Sequence, residues 1–476
     1  MCPDPNQPPA TDGIAAGRLR RTAPLIGLTA RTAGEAVVVG LRSKLTGADS
    51  TGFHERTAER YTELLGRSKG ALMKAGQMLS LASAGPGVPA ELQSVYQTSL
   101  ARLRSEAPPM APELARQTLE SELQRSIESA FAHFDWEPMA AASIGQVHSA
   151  RLHDGRAVAV KVQYPGVADA IAVDLRNTEL LGTFLRLVVN WMSPQRVKWD
   201  IHAYADELHT HVTEELDYRR EASNQAEFAE RYRGHPFIHV PDVIGELSTN
   251  RVLTQELVRG IPWNDALSAS QELRNSWAEA IYRFYWGSYD RFHLFNADPH
   301  PGNYIFQEDG SVSFLDFGCV KRLNKDQADM MDAILRACLR GDARATWRAS
   351  VEAGFWRSSD PVTPAEVLDW WCKDSPMLCR DPDFKVTTDS LARYIARRFT
   401  PNGPSANAIR CATPPPDCSI MTRIELGVYS AIANLRADMN WGSIAAEHFE
   451  KADPLTEMGR RSQQFFDEHQ ATASHA

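Results

Sequence analysis

Along most of the chain apolar residues recur at three- and four-residue spacing, and in a few stretches the period drops to two. The first helical pattern covers residues 56–81, where Tyr61, Leu64, Leu65, Leu72, Met73, Gln77 and Leu81 share one stripe. Pro86-Gly87-Val88-Pro89 ends it, and further helices are expected at 90–103 and 112–123. From Phe131 the period changes. Residues 147–152 alternate as a strand, His153-Asp154-Gly155 turns the chain, and 157–163 reads as a second strand. Helical patterns return at 169–191 and 200–233, followed by two strands at 240–244 and 251–256 with Thr249-Asn250 as their turn. Residues 275–292 carry Trp277, Ile281, Phe284, Tyr285 and Tyr289 at helical spacing, which predicts a core helix. Tyr304-Ile305-Phe306, the turn dipeptide Asp309-Gly310 and the alternating run Ser311-Val312-Ser313-Phe314-Leu315 predict a β-hairpin. A helix at 325–339 opens a helical remainder to about residue 449, with Pro-rich breaks at 360–364 and 401–416. The tail from 460 is polar and expected to fray.

The chain has 476 residues, long enough for two or three domains and a large core. A net charge of -9 argues against nucleic acid as a partner, because phosphate backbones require basic surface. The 7 cysteines are scattered with no C-x-x-C pair, as suits reduced thiols. No apolar run is long enough to span a bilayer, so no transmembrane helix is expected. The first 45 residues are Arg-rich and acid-poor. Three readings of them stand: a solvated end leading into the first helix, a basic anchor on anionic lipid, or a transit peptide.

The candidate chemistry sits around the predicted hairpin. Closing it brings Asn303 and Asp316 together at its base, with Asp298 nearby on the loop Asp298-Pro299-His300-Pro301-Gly302-Asn303. A carboxylate and a carboxamide at one point suit Mg²⁺, which prefers oxygen ligands, and a second carboxylate can orient a nucleophile. Upstream, strand, small-residue loop, strand, turn and strand with a lysine is the order of a nucleotide-binding lobe. Here the loop Ala140-Ala141-Ala142-Ser143-Ile144-Gly145-Gln146 is alanine-rich, and so is expected to be stiffer than a glycine-rich one. Lys161, inside an apolar strand, needs a partner such as phosphate and a helix glutamate, unless it lies on an edge strand. In the charged run Glu214-Glu215-Leu216-Asp217-Tyr218-Arg219-Arg220-Glu221, the acids at 214, 217 and 221 stack near one helical stripe. Lys74, three residues before Gln77 in Lys74-Ala75-Gly76-Gln77, and Lys161 are the cations offered to them.

In order, these six pieces resemble the UbiB/ADCK (AarF-domain) family of atypical kinases. They are Lys74–Gln77, the alanine loop to His148, Val158-Ala159-Val160-Lys161, Glu215-Leu216-Asp217 with Arg220-Glu221-Ala222, Ala297–Asn303 and Asp316-Phe317-Gly318. The resemblance implies an α+β, two-lobed protein-kinase-like fold. Its expected divisions are a basic N-terminus (1–50), a helical extension (51–128), an N-lobe (129–258), a helical C-lobe (259–460) and a polar tail (461–476). It implies that Lys161 pairs with Glu221 and reaches the nucleotide phosphates, and that residues 140–146, with Glu256 and Leu257 of the connector, line the ATP site. Asn303 and Asp316 would hold Mg²⁺, and Asp298 would be the catalytic acid/base or the group that orients water. Lys74, counted with Asp298 and Lys161 among the catalytic residues, would be held by Glu215 and Asp217, so that it and Gln77 also regulate entry to the site. The implied function is an ATP- and Mg²⁺-dependent kinase or ATPase serving isoprenoid-lipid or quinone metabolism. It would be cytoplasmic, with peripheral contact to membrane or biosynthetic enzymes. The alternative is a nucleotide-gated module that binds a lipid or a partner. Because no long peptide-docking segment follows Gly318, a protein substrate is not expected.

Overall fold

The computed structural model describes residues 109–142, 144–169, 171, 213–378, 381, 383–399, 403–415 and 418–473. The expected helices at 56–81 and 90–103, nearly all of that at 169–191, and with them Lys74, Gln77 and Ser143, lie outside these residues. The chain divides into two compact units. One comprises Met1–Ala222 with Val243–Leu257, the other Ser223–Asp242 with Val258–Ala476.

The first unit is built on an antiparallel sheet. Its helices and strands in chain order are α1 (Pro112–Leu123), α2 (Ile127–Ala130), β1 (His133–Phe134), β2 (Ala140–Ala141), β3 (Gly145–Arg151), β4 (Ala157–Gln163), the start of α3 (Tyr218–Arg231) and, after an excursion into the second unit, β6 (Val252–Glu256). The sheet order is β1-β3-β4-β6, with β2 also paired to β3. Alternation sorts β4 into two faces. Val158, Val160 and Val162 join Ala115, Leu119 and Leu123 of α1 in one buried cluster, each fully buried Val or Leu contributing about 1.5–3 kcal/mol. Lys161 points to the opposite face, where Val147 is its cross-strand partner. The turn His153-Asp154-Gly155 closes with Gly155 at φ 92, a backbone state open to glycine.

The second unit holds β5 (Ile238–His239), α4 (Trp263–Ala266), α5 (Gln271–Phe292), β7 (Leu294–Asn296), β8 (Tyr304–Phe306), β9 (Val312–Phe314), β10 (Val320–Arg322) and α6 (Lys325–Leu339). The helices α7 (Ala343–Glu352), α8 (Pro364–Cys372), α9 (Thr388–Phe399), α10 (Ala406–Cys411), α11 (Cys418–Leu435), α12 (Trp441–Phe449) and α13 (Glu457–Ala473) follow. Every residue of α5 from Trp277 to Tyr289 is buried, so the aromatic stripe is core on all sides. The predicted hairpin forms as β8–β9 with Tyr304 opposite Phe314. β9 also pairs in parallel with β5, and β10 with β7. As expected, Gly318 leads through the short β10 directly into α6. No helix among the described residues is long and apolar enough to cross a membrane.

Four expectations need correction. The pattern at 200–233 is not one helix: a turn at Leu216-Asp217 breaks it. Asp217 caps α3, its Oδ1 accepting the amides of Arg219 and Arg220 at 3.1 and 3.2 Å. Capping is what short acidic side chains do best, and here it outweighs helix continuation. The strand expected at 240–244 is reduced to β5 just before it and a single bridge between Val243 and Gln255. The Pro-rich segment 401–416 contains the short helix α10. The tail is a helix, α13, whose Phe465 and Phe466 are buried against the ring of His235.

Candidate active site

In the first unit, Lys161 Nζ meets both carboxylate oxygens of Glu221, at 2.8 and 3.0 Å. The ammonium also lies 4.8 Å from the centre of the Tyr218 ring. Placing Glu221 there requires α3 to start in register. Gln163, two residues beyond Lys161 and on the same face of β4, donates to the Leu216 carbonyl at 3.0 Å, and the Tyr218 amide donates to Asn250 at 3.1 Å. With side chains only 17% and 3% exposed, the pair is largely withdrawn from water. Removing one partner of such a pair costs about 3–5 kcal/mol.

The alanine loop is a tight hairpin between β2 and β3, with Ala140 opposite Val147 and Ala141 opposite Gln146. Ala140 and Ala141 are exposed and Ala142 partly so, whereas Ile144, Gly145 and Gln146 are buried. A Cβ on Gly145 would stand 2.1 Å from the Val162 carbonyl oxygen. That glycine is therefore required by its close approach to β4, and the Gln146 side chain, 1% exposed, is turned into the core. At the connector, Glu256 pairs with Val158 at the end of the sheet, and the Leu257 amide is bound to the Ala157 carbonyl at 3.1 Å. Glu215 lies in the turn of helix before the break at Leu216-Asp217.

In the second unit the three predicted polar groups converge. Asn303 Nδ2 donates to the Asp298 carbonyl at 3.1 Å and to its Oδ2 at 3.3 Å. The Leu315 amide donates to the Asn303 carbonyl at 3.0 Å, which sets Asp316 beside the loop. Asp316 Oδ1 accepts the Gly318 amide at 2.9 Å. His300 shapes the loop between them, its Nδ1 accepting the Gly302 amide at 3.0 Å. The donor set fits a hard cation: the amide nitrogen of Asn303 faces Asp298, so its carbonyl oxygen is the end that a metal would meet, together with the carboxylate of Asp316. Below the hairpin, burial above all, and the charge of Asp298, push the Tyr304 hydroxyl upward, and burial does the same to Tyr285. Both tyrosines therefore stay protonated at neutral pH.

Two residues that the sequence did not single out complete it. Asn296, at the end of β7, donates to the Asp316 carbonyl at 2.7 Å and accepts the Asp298 amide at 3.0 Å, tying the two acids to one strand. Its signal in the sequence was an asparagine set among the apolar residues Leu294, Phe295 and Ala297. Arg423 of α11 donates from Nη2 to Asp298 Oδ1 at 2.8 Å. One turn further on, a Cβ on Gly427 would stand 2.3 Å from Pro299 Cγ, so α11 lies directly against the loop. Nothing local in the sequence points to Arg423.

Comparison with known proteins agrees with this geometry. Residues 102–350 match the ABC1 atypical kinase-like domain. The chain is 32% identical over 385 residues to the mitochondrial atypical kinase COQ8B of Rattus norvegicus, covering 80% of this chain and 70% of that one. To the mitochondrial atypical kinase coq-8 of Caenorhabditis elegans it is 29% identical over 429 residues, covering 88% of this chain and 55% of that one. Among solved structures, Rv3197 of Mycobacterium tuberculosis, in complex with erythromycin, superposes with a TM-score of 0.58 at 26% identity, covering 87% of this chain and 98% of that one. With six motifs in order, a kinase-like fold of mixed helix and sheet, and half the chain within the family domain, this protein belongs to the UbiB/ADCK family of ABC1-type atypical kinases.

Proposed function

We propose that the protein is an ATP- and Mg²⁺-dependent atypical kinase or ATPase. The observation that carries this reading is the intact set of Asp298, Asn303 and Asp316 held in one network, in a chain that also keeps the Lys161–Glu221 pair. Lys161 would contact the α and β phosphates, and Asn303 and Asp316 would hold Mg²⁺, which would neutralise phosphate charge during transfer. Asp298, with both carboxylate oxygens already engaged, would orient the attacking hydroxyl or water. The exposed alanines at 140–142 would cover the phosphates. Lys74 and Gln77, with Glu215 and Asp217, would regulate access, as the resemblance implies. The relatives COQ8B and coq-8 are atypical kinases by name, in keeping with the isoprenoid-lipid or quinone metabolism that the resemblance implies. The passage from Gly318 through β10 straight into α6 favours a small or lipid-linked substrate over a peptide. That passage equally suits a nucleotide-gated binding module, in which hydrolysis resets lipid or partner binding. The test is Mg²⁺-dependent ATP hydrolysis by the full chain and by Asp298→Asn. The variant is expected to lose turnover by about a hundredfold or more, within the range for one acid/base group, while ATP affinity is kept. Equal hydrolysis rates would defeat the enzyme reading. Metabolite profiling of a strain that lacks the protein, with Asp316→Asn as the failed rescue, would identify the pathway.

A further inference from the structure

Behind the sheet of the first unit, on the face opposite Lys161, runs a buried chain of hydrogen bonds. Cross-strand pairing puts Gln146 and His148 on the same face as Val162 and Val160, toward α1. Both are polar, and they are 1% and 0% exposed. The Met110 amide donates to Gln146 Oε1 at 2.7 Å. Gln146 Nε2 lies 2.8 Å from His148 Nε2, and His148 Nδ1 lies 2.8 Å from the Asp135 carbonyl. The direction of every bond follows from its ends. A carbonyl only accepts, so His148 carries its proton on Nδ1. Its Nε2 then accepts from the Gln146 amide nitrogen, whose oxygen is left for the Met110 N–H. Burial lowers the His148 pKa, in keeping with the neutral ring that this order needs.

The two ends of the chain are informative. Met110 leads the segment entering α1, and Asp135 closes on β3 through its amide to Ser149 at 2.9 Å. Gln146 is the cross-strand neighbour of Ala141, so the chain is anchored at the root of the alanine hairpin. Two apolar side chains would have filled this space without the cost of burying four polar groups. We propose that Gln146 and His148 are positioning residues: they form a strut that fixes the alanine hairpin from behind, and through it set how the chain discriminates between nucleotides. They touch no ligand, because their face is turned away from Lys161. The inference rests on the nucleotide reading given above, in which the alanines at 140–142 cover the phosphates. Displacing them would alter contacts to the longer phosphate chain of ATP more than those to ADP.

The experiment measures Mg-ATP and Mg-ADP affinities of the full chain by calorimetry, with folding checked by a cooperative melt. Gln146→Met keeps the side-chain length but removes both bonds, and is expected to change the ATP-to-ADP affinity ratio at least threefold. His148→Gln can still donate to Asp135 and accept from Gln146, and should hold the ratio within twofold of the unaltered chain. His148→Leu should shift it as Gln146→Met does. A folded Gln146→Met with an unchanged ratio overturns the strut while leaving nucleotide binding in place. Absence of Mg-ATP binding by the unaltered chain would instead remove the nucleotide reading and the strut with it. If Gln146→Met does not fold, hydrogen exchange on the unaltered chain decides. Mg-ATP should slow the Met110 amide together with residues 139–147. Protection of the hairpin without Met110 refutes the strut.

Discussion

At the scale of single residues, Asp298 is defined by what holds it. Its Oδ1 takes Arg423, its Oδ2 takes Asn303, and its backbone amide takes Asn296. A carboxylate held at both oxygens, on a backbone held at its amide, is fixed in one orientation. Arg423→Met removes the cation and keeps much of the stem. We expect hydrolysis to fall about a hundredfold, the equivalent of about 2.7 kcal/mol, while ATP affinity stays within about threefold. Steady-state hydrolysis beside calorimetric binding checks this. If affinity falls as far as rate, Arg423 acts on the nucleotide and not through Asp298. The contrast with Lys161 and Asp316 shows what a sequence can convey at this scale. Those residues sit in short local patterns whose spacing has chemical meaning. Arg423 lies 125 positions from its partner on an ordinary amphipathic helix, and only tertiary packing brings the two together.

At the scale of elements, strong periodicity was legible and capping was not. The aromatic helix α5, the helix α6 and the strand β4 lie where their patterns place them. The charged run at 214–221 misled because four-residue spacing counts acids on a stripe without asking which acid caps a new helix. In the same way α13 was hidden by its polar composition, although Phe465 and Phe466 carry its docking face. That docking depends on His235, which is ringed by Phe237, Phe465 and Phe466 and shares a 3.2 Å hydrogen bond with Ser462. Its Nδ1 accepts the Ile238 amide at 3.1 Å. Burial, helped by nearby arginines, lowers the His235 pKa to about 3. Unfolded, the ring would titrate near 6.5. Between those values the unfolded chain binds a proton that the folded chain does not. The stability contributed is therefore present above about pH 6.5 and lost as pH falls toward 3. Urea unfolding should show His235→Gln losing about 2 kcal/mol less stability than the unaltered chain between pH 7 and pH 5. Parallel losses in the two proteins would show that the imidazole is not what the acid attacks.

At the scale of the molecule, the division into two units falls within α3, between Ala222 and Ser223. No pattern in the sequence marks a boundary there, because a continuous helix has no composition shift at its middle. The consequence is chemical. Glu221, before the division, holds Lys161, and Asn224, one turn later, donates from Nδ2 to the Phe317 carbonyl at 3.0 Å. Asn224 Oδ1 also accepts Arg322 at 3.1 Å, and Phe228 packs on the Phe317 ring at 5.0 Å between centroids. One helix thus carries the partner of Lys161 and the anchor of the turn that presents Asp316. In Asn224→Leu the buried Phe317 carbonyl loses its donor, which costs about 1–3 kcal/mol. That cost falls on the turn bearing Asp316, the proposed metal ligand, and not on the Lys161–Glu221 pair. The Mg²⁺ concentration for half-maximal hydrolysis should therefore rise about tenfold, following the lower end of that cost, while ATP affinity measured in chelator stays within about twofold. A matched loss of metal-free ATP binding would show instead that Asn224 acts on more than the turn that bears Asp316.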